Sequence, residues 1–462
     1  MSLSENETHL LLRLGFLPSG WAAERLAKLG VEAFVEEQLH PERIPEDPEL
    51  ERRLARRPLL GMDARAIGRL DGGETRAYHE NLEAYLLRHT RSRRRLAARL
   101  AAFWANHFYV PAEAAGAHLG SYLRTLEARA LGGFRDLLLA VARHPAMLVY
   151  LNNDSNVADH PNENYARELL ELHTLGVDGG YTEHDVKEAA RALTGWTTHP
   201  RTEGGFYFDP GVHDDGPKQI LGRRFPAGRG IEDGLQLLDL LARHPSTARF
   251  VARKLGQWFV SDDPPKGLID RLAAVFTRER GQMRPVLRAL FAAPEFYAAR
   301  GQRLRTPLEF LTAAMETTGT EFTDAWRLLD TLDRLGQPFL GWKTPDGFPT
   351  HAAAWAGTSS LLARWQVALE LTQEADGDPE GGWGLLAHLE ERPPAAATAG
   401  AWVRAAARRV WGREPSPERL AELVAYAADG RGADRALTPM LAGRKRGGLY
   451  ALLLAAPEFQ WI

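Results

Sequence analysis

The chain contains no cysteine, and that one absence removes disulfides, thiolate zinc sites, iron–sulfur clusters and cysteine nucleophiles together. Any metal must be held by histidine, aspartate or glutamate. An apolar run of about 18 residues, long enough to cross a bilayer, is also missing, so no membrane span is expected. The opening "MSLSENETHLLLRLGF" has no basic start followed by a long apolar stretch. As written the chain reads as cytoplasmic, or as periplasmic or exported if a leader has been removed. Charge of one sign is lacking too: 57 Lys and Arg stand against 60 Asp and Glu, a net −3. Overall electrostatics therefore points to neither nucleic acid nor an anionic membrane. There is no phosphate-binding glycine loop, no nucleophile elbow and no His-Glu-x-x-His zinc motif.

What is present is a folded composition, 44% apolar and 25% charged over 462 residues, enough for a substantial core. Helical periodicity dominates: "GWAAERLAKLGVEAFVEEQL", "RLAARLAAFWANHF", "FRDLLLAVARH" and "GLQLLDLLARH" all space apolar residues three and four apart. Thr306-Pro307-Leu308-Glu309 has a capping Thr, Pro at the first helical position and Glu at the third, and Ser416-Pro417 repeats the first two features. The expected class is all-α. Strand signals are confined to 194–225, where aromatic residues alternate with turn formers and predict a small β-hairpin or a long ordered loop. "LFAAPEFYAAR" and "LLAAPEFQWI" end alike. They suggest two helical subdomains: an N-terminal domain, 1–300, carrying the polar motif below, and a C-terminal one, 301–462, carrying an aromatic loop at 335–355. Residues 372–384 and 391–400, rich in Gly, Pro and Ala, are linker candidates.

The densest polar stretch is "NENYARELLELHTLG", 162–176. At about 100° per residue, Glu163, Asn164, Arg167, Glu168, Glu171 and Thr174 share one side of a helix, and Tyr165, Ala166, Leu169, Leu172 and His173 the other. The i,i+4 pairs around Arg167 are worth only tenths of a kcal/mol when exposed. The cluster of Asn164, Glu168 and Glu171 is different, since it can turn inward and bind a cation or share a proton. His173 falls off the cluster and reads as a core residue. Thr182 and Asp185 form a capping box for a second helix, so the two helices make a tight hairpin, with Glu188 and Arg191 expected near the first helix's carboxylates.

Three further stretches carry chemistry. "FWANHF" ends an aromatic helix with His107, ordinarily a core position for a lone histidine. "VHDDGPK" sets His213, Asp214 and Lys218 around a Gly-Pro turn, which suits metal-ligand, acid and anion-binding roles as well as plain backbone capping. The loop "LGQPFLGWKTPDGFPTHAAAW" supplies Trp342, Phe348 and Trp355, either lining a pocket or plugging the gap between subdomains. The basic run "RHTRSRRRLAARL" spreads its arginines around a helix and reads as a solvated face.

These residues point first to an enzyme with a carboxylate and histidine site between helices. Its catalytic candidates are Arg167, Glu168, Glu171, His213 and Asp214, with Asn164, Lys218, Trp342 and Trp355 for substrate. A divalent metal, Mg, Mn, Fe or Zn, would be held by Glu163, Glu168, His107 and His213 and would serve hydrolytic or oxidative chemistry. Without metal, Glu168 or Glu171 would act as a general base if burial raises its pKa. The alternative is a non-catalytic helical binding or assembly protein whose ionic network fixes packing.

The pieces "FWANHF", "NENYARELLELHTLGVDGGYTEHDVKEAARALTGW", "HDDGPKQILG", "FVARKLGQWFV", "GQPFLGWKTPDGFP" and "LLAAPEF" together resemble the bacterial family catalogued as domain of unknown function 1800, nearly end to end. The resemblance implies no established activity. It implies export for many members and a genomic neighbourhood with sulfatase-like proteins catalogued as domain of unknown function 1501, hence a sulfatase-like partner. In that family the position of His173 holds His or Phe, which argues against an obligatory ligand there. The matched polar positions are Asn162, Glu163, Asn164, Arg167, Glu168, Glu171, His107, His213, Asp214 and Lys218.

Overall fold

The computed structural model describes residues 3–18, 20–198, 205–320, 324–372 and 398–462. Most of both linker candidates, at 372–384 and 391–400, lies outside the described residues. The protein is all-α with two small antiparallel hairpins: β1 (Trp196–Thr198) pairs with β2 (Phe206–Phe208), and β3 (Lys218–Ile220) with β4 (Arg223–Phe225). Sequence periodicity located this region and allowed for one hairpin. The second closes through Leu221 and Gly222, both at positive φ, the geometry a two-residue hairpin turn needs. Among the described residues no helix is long and apolar enough to cross a membrane.

Helix starts follow the local rules. Thr306 and Glu309 cap each other reciprocally at the start of Pro307–Thr318, as do Thr182 and Asp185 at Glu183–Ala192, satisfying amides that have no intrahelical partner. The two "AAPEF" segments adopt the same local form. In each a helix ends, an extended Ala (293 or 456) precedes a proline-led short helix, and a buried phenylalanine, Phe296 or Phe459, plugs the core.

Two apolar cores result. One gathers residues from Leu10 to Ala299; the other runs from Leu308 to Phe459 and recruits Leu82 and Leu86 of the helix Gly73–Arg91. A small third cluster, with Tyr109, Leu304, Phe348, Ala352 and Trp355, sits under the aromatic loop.

Between the two large cores lies a buried ionic seam. Arg99 and Arg303 both grip Glu309, at 2.6 and 2.8 Å, and Arg95 pairs with Glu316 at 3.1 Å. Burial pushes the Glu309 carboxyl up, but Arg303 and Arg99 outweigh it and hold the group well below the usual carboxylate range. The basic run is thus not simply a solvated face: Arg95 and Arg99 are 2% and 4% exposed. Desolvation consumes much of the Coulomb gain of such pairs, so their main effect is to fix how the helix Arg95–His107 sits on Pro307–Thr318.

Candidate functional site

The polar hairpin is built on asparagines. Asn153 and Asn156, both 1% exposed, donate to the carbonyls of Trp196 and Ala190 at 2.8 and 2.9 Å, and Asn156 Oδ1 accepts from the amide of Asn162 at 2.8 Å. Asn162 then caps the helix Glu163–Glu168 by accepting from the Asn164 amide. Asn164 donates to the carbonyl of Leu151 at 3.2 Å. Arg167 reaches across to Glu183 with two bonds of 2.7 Å and back to Glu163 at 3.3 Å. Glu163, Asn164 and Arg167 therefore hold the hairpin together.

After Glu168 the helix widens into a π-helix, Leu169–Thr174, a rare form that recurs at functional sites. The extra residue in the turn carries Thr174 off the polar face where regular periodicity placed it. It is fully buried, its hydroxyl donating to the carbonyl of Leu169 at 2.6 Å. His107 Nε2 donates to the carbonyl of His173 at 3.1 Å, supplying a partner inside the widened turn. His107 is packed among Phe103, Trp104 and Phe108, and burial first, then Lys254, drives its pKa well below the ordinary imidazole value. His173 is a core residue as expected, neutral down to about pH 3 through burial.

The widened helix leaves Glu168 and Glu171 partly buried on the other side. Glu171 accepts from the Tyr181 hydroxyl at 3.2 Å. Glu168 makes no hydrogen bond or ion pair among the described residues. Burial raises its pKa, Glu171 and Asp346 add to the rise, and Arg167 opposes it. Asp346 comes from the aromatic loop. Burial, Glu168 and Asp346 together push the Tyr150 hydroxyl up to about 12. Lys254, from the helix Pro245–Phe259, has its pKa lowered by burial, partly offset by Asp346; its amine lies 6.0 Å from the Phe250 ring centre. Asp346, Tyr150 and Lys254 were not singled out in the sequence, although Asp346 and Lys254 fall within the quoted "TPDGFP" and "FVARKLGQWFV".

The second predicted cluster is a separate, buried network. Lys218 Nζ donates to Asp233 Oδ2 at 2.8 Å and to the carbonyl of Gly216 at 3.0 Å. His213 Nδ1 faces the carbonyl of Thr194 at 2.8 Å, and its Nε2 lies 3.6 Å from Asp233. Asp214 takes two bonds from Arg191, at 2.7 and 3.0 Å, and Arg191 also binds Glu188. Arg191 and Glu188 thus face the 213–219 loop and not the first helix's carboxylates. Asp233, 1% exposed, is the charge the sequence reading missed.

No hydrogen bond or ion pair joins Glu168 or Glu171 to His213, Asp214 or Lys218. The proposed metal set is not assembled: Glu163 is bonded to Arg167, His107 to a backbone carbonyl, and His213 to Thr194. Among the described residues no three His, Asp or Glu side chains come together as metal ligands. Trp355 is buried, donating to the carbonyl of Pro349 at 2.9 Å, and the Trp342 ring packs tilted against Phe348, its backbone amide donating to the Tyr109 hydroxyl. Both help seat the loop as part of the third cluster.

The chain matches, over residues 9–461, the family described as "Protein of unknown function (DUF1800)", and it belongs to that family. No curated protein and no solved structure matches it.

Proposed function

We propose that the protein is a hydrolytic enzyme in which Glu168 is the general base and acid. The reading is carried by one observation: a half-buried carboxyl with no bonded partner, at the start of a π-helical turn, held toward its neutral form by burial and by two further carboxylates. A glutamate in that setting has a pKa shifted toward neutrality, which is what reversible proton transfer requires. Ionised Glu168 takes a proton from a water molecule, the resulting hydroxide adds to the substrate's electrophilic centre, and Glu168 returns the proton to the leaving group. Arg167 sets how far the pKa rises, and Tyr150 borders the carboxyl.

The test has two stages. Carbon-13 NMR of side-chain carboxyls should show Glu168 titrating above the ordinary glutamate value, moving down in Glu171→Gln or Asp346→Asn. A screen of ester, amide, phosphoester and glycoside substrates should then give a hydrolysis lost in Glu168→Gln at unchanged fold. Glu168 titrating at or below its ordinary value, or a hydrolysis indifferent to Glu168→Gln, would sink the proposal.

The assembly reading keeps one observation of its own. Leu362, Trp365 and Leu369, spaced along one face of the helix Thr358–Thr372, are each about half exposed, and such stripes suit a protein partner. A sulfatase-like protein is the partner to test, by co-purification with the wild type and with Trp365→Glu; equal recovery in both would remove this reading.

A further inference from the structure

Six arginines are buried where the two large cores meet: Arg13, Arg95, Arg99, Arg303, Arg305 and Arg364, each at most 5% exposed. Among the described residues two carboxylates stand with them. Glu309 is gripped by Arg99 and Arg303, and Glu316 takes two bonds of 3.1 Å from Arg95. Each carboxylate thus has its own counter-charge, while Arg13, Arg305 and Arg364 form no ion pair among the described residues. They donate to neutral oxygens instead: Arg13 to the carbonyl of Ala299 at 2.7 Å, Arg305 to the carbonyl of Phe459, and Arg364 to Gln460 and the carbonyl of Arg305 at 2.8 Å each. Burial lowers the pKa of Arg305 to about 10, Glu309 opposing the fall and Arg303 and Arg99 adding to it, and burial lowers Arg364 to about 10 as well. Both stay charged at neutral pH, so the seam carries buried positive charge that no carboxylate offsets.

A cavity of about 30 Å³ opens beside this excess, lined by Arg99, Arg305, Glu309 and Glu316. The other three are the charges that act on Arg305, so its guanidinium, stacked 4.4 Å over the Phe459 ring, looks onto the same space. Its Nη1 is taken up by Phe459; Nε and Nη2 have no bonded partner among the described residues. The partnerless Nε atoms of Arg13, Arg99, Arg303 and Arg364 are sealed in the interior, whereas those nitrogens of Arg305 are open. Tyr85 lines the cavity too, its hydroxyl open, without a bonded partner and within the field of Arg99 and Glu309. Burial pushes that hydroxyl well above its ordinary pKa, so it keeps its proton to donate. The remaining polar groups of the wall are spent or uncharged: the Thr312 hydroxyl donates to the carbonyl of Leu308 at 2.7 Å, burial keeps His89 neutral down to about pH 3, and no ion pair joins Ile462 to the arginines. About 10–15 Å³ holds one water molecule, so the space admits a monatomic ion and is too small for a phosphate ester or a metabolite.

We propose that this cavity is a chloride site, in which the anion accepts from the free nitrogens of Arg305 and from the Tyr85 hydroxyl and offsets part of the arginine excess between the two cores. Arg305 and Tyr85 lie on different segments of the chain, so the bound ion ties the seam together and stabilises the folded state. The site does not depend on Glu168 being catalytic.

The experiment is urea unfolding of the full chain at constant sodium, with chloride exchanged for gluconate, an anion too large for the cavity. Going from none to about 100 mM chloride should lower the unfolding equilibrium constant about tenfold along a saturating curve, as for a ligand bound by the folded state alone. Tyr85→Phe, which removes one donor and keeps the ring, and Arg305→Met should each cut that response to less than about twofold. If Arg305→Met does not fold, Tyr85→Phe carries the test. Crystals grown in sodium bromide should show an anomalous scattering peak bounded by Arg305, Arg99 and Tyr85. Equal stability in chloride and gluconate, a full chloride response in folded Tyr85→Phe, or water in place of bromide in the cavity would each overturn the proposal.

Discussion

Arg167 and Glu183 face each other across the helical hairpin through two hydrogen bonds of 2.7 Å each. Glu183 follows the capping Thr182 and opens the second helix. In the fold it is the main partner of the cluster's only arginine. Glu183→Gln should therefore leave the Glu168 chemistry in place but loosen the hairpin. The pair is solvent-exposed, so the fall in melting temperature should be small and should shrink further between about 50 mM and about 1 M salt, as screening predicts. Thermal denaturation at the two salt concentrations measures it; a salt-independent loss would mean that Glu183 acts through something other than its charge.

Asn106 clamps the aromatic loop from both sides of one residue, donating to the carbonyl of Phe348 at 3.0 Å and accepting from its amide at 2.8 Å. Asn106→Ala should cost about 2–4 kcal/mol, since two backbone groups at a largely buried residue lose their partners. The freed loop also carries Asp346, so the Glu168 pKa should fall toward its ordinary value in the same variant. Gly347→Ala should act alike. Gly347 has φ +76°, and a Cβ there would lie 2.4 Å from the carbonyl oxygen of Asn106. Denaturant unfolding and the Glu168 NMR titration check both effects.

These contacts show which parts of the molecule the sequence could reveal. The capping boxes at Thr182 and Thr306 were legible because every atom involved lies within four residues. The pairing of Glu168 with Glu171 was legible for the same reason. The π-helical turn was not. It departs from the regular repeat in a segment whose carbonyl at His173 is met by His107, 66 residues away. Arg95 and Arg99 looked like a solvated charge run because their carboxylates, Glu316 and Glu309, lie more than 200 residues further on. Asp346, Lys254 and Asp233 gave no local signal of their own, each being a single charge until the fold sets a counterpart beside it. The helix Arg95–His107 did leave a trace: Ala98, Ala101 and Ala105 repeat at helical spacing on a face opposite Leu96, Leu100 and Phe103.

Stability should fall steeply on mild acidification. His9, His89, His144 and His173 are all buried, and burial, the largest cause in each, lowers their pKa values to about 3. In the unfolded chain they titrate near about 6.5. Below that pH the unfolded state takes up protons that the folded state refuses, so stability is complete above about pH 6.5 and drains away as pH falls toward 3. Each histidine should contribute a loss of about 1.4 kcal/mol by pH 5.5. Denaturant midpoints at pH 8 and 5.5 measure the sum. His173 has no hydrogen-bond partner on either ring nitrogen, so His173→Phe should keep the fold, raise stability and flatten the pH dependence by one histidine's share. An unchanged pH dependence in that variant would show that His173 is protonated in the folded protein.

Lys218 and Asp233 make the most secluded ion pair of the 213–233 network, 2.8 Å apart with side chains at most 1% exposed. Taking two charges out of water is costly, and here the cost is offset by the pair itself and by the carbonyls of Asp214 and Gly216 around the amine. Removing one partner leaves the other buried with only a longer ionic contact, Lys218 to Asp214 or Asp233 to Arg229, each at 3.9 Å. Asp233→Asn and Lys218→Met should each destabilise by about 3–5 kcal/mol, and the double variant should lose much less than the sum. His213 separates this reading from a catalytic one. If the network only fixes the hairpin loop, His213→Asn should follow the same stability scale and leave the Glu168 titration untouched. A shift of the Glu168 titration in folded His213→Asn would join the two polar clusters into one working site. Denaturant unfolding of the four variants, with the carboxyl NMR titration of His213→Asn, decides between them.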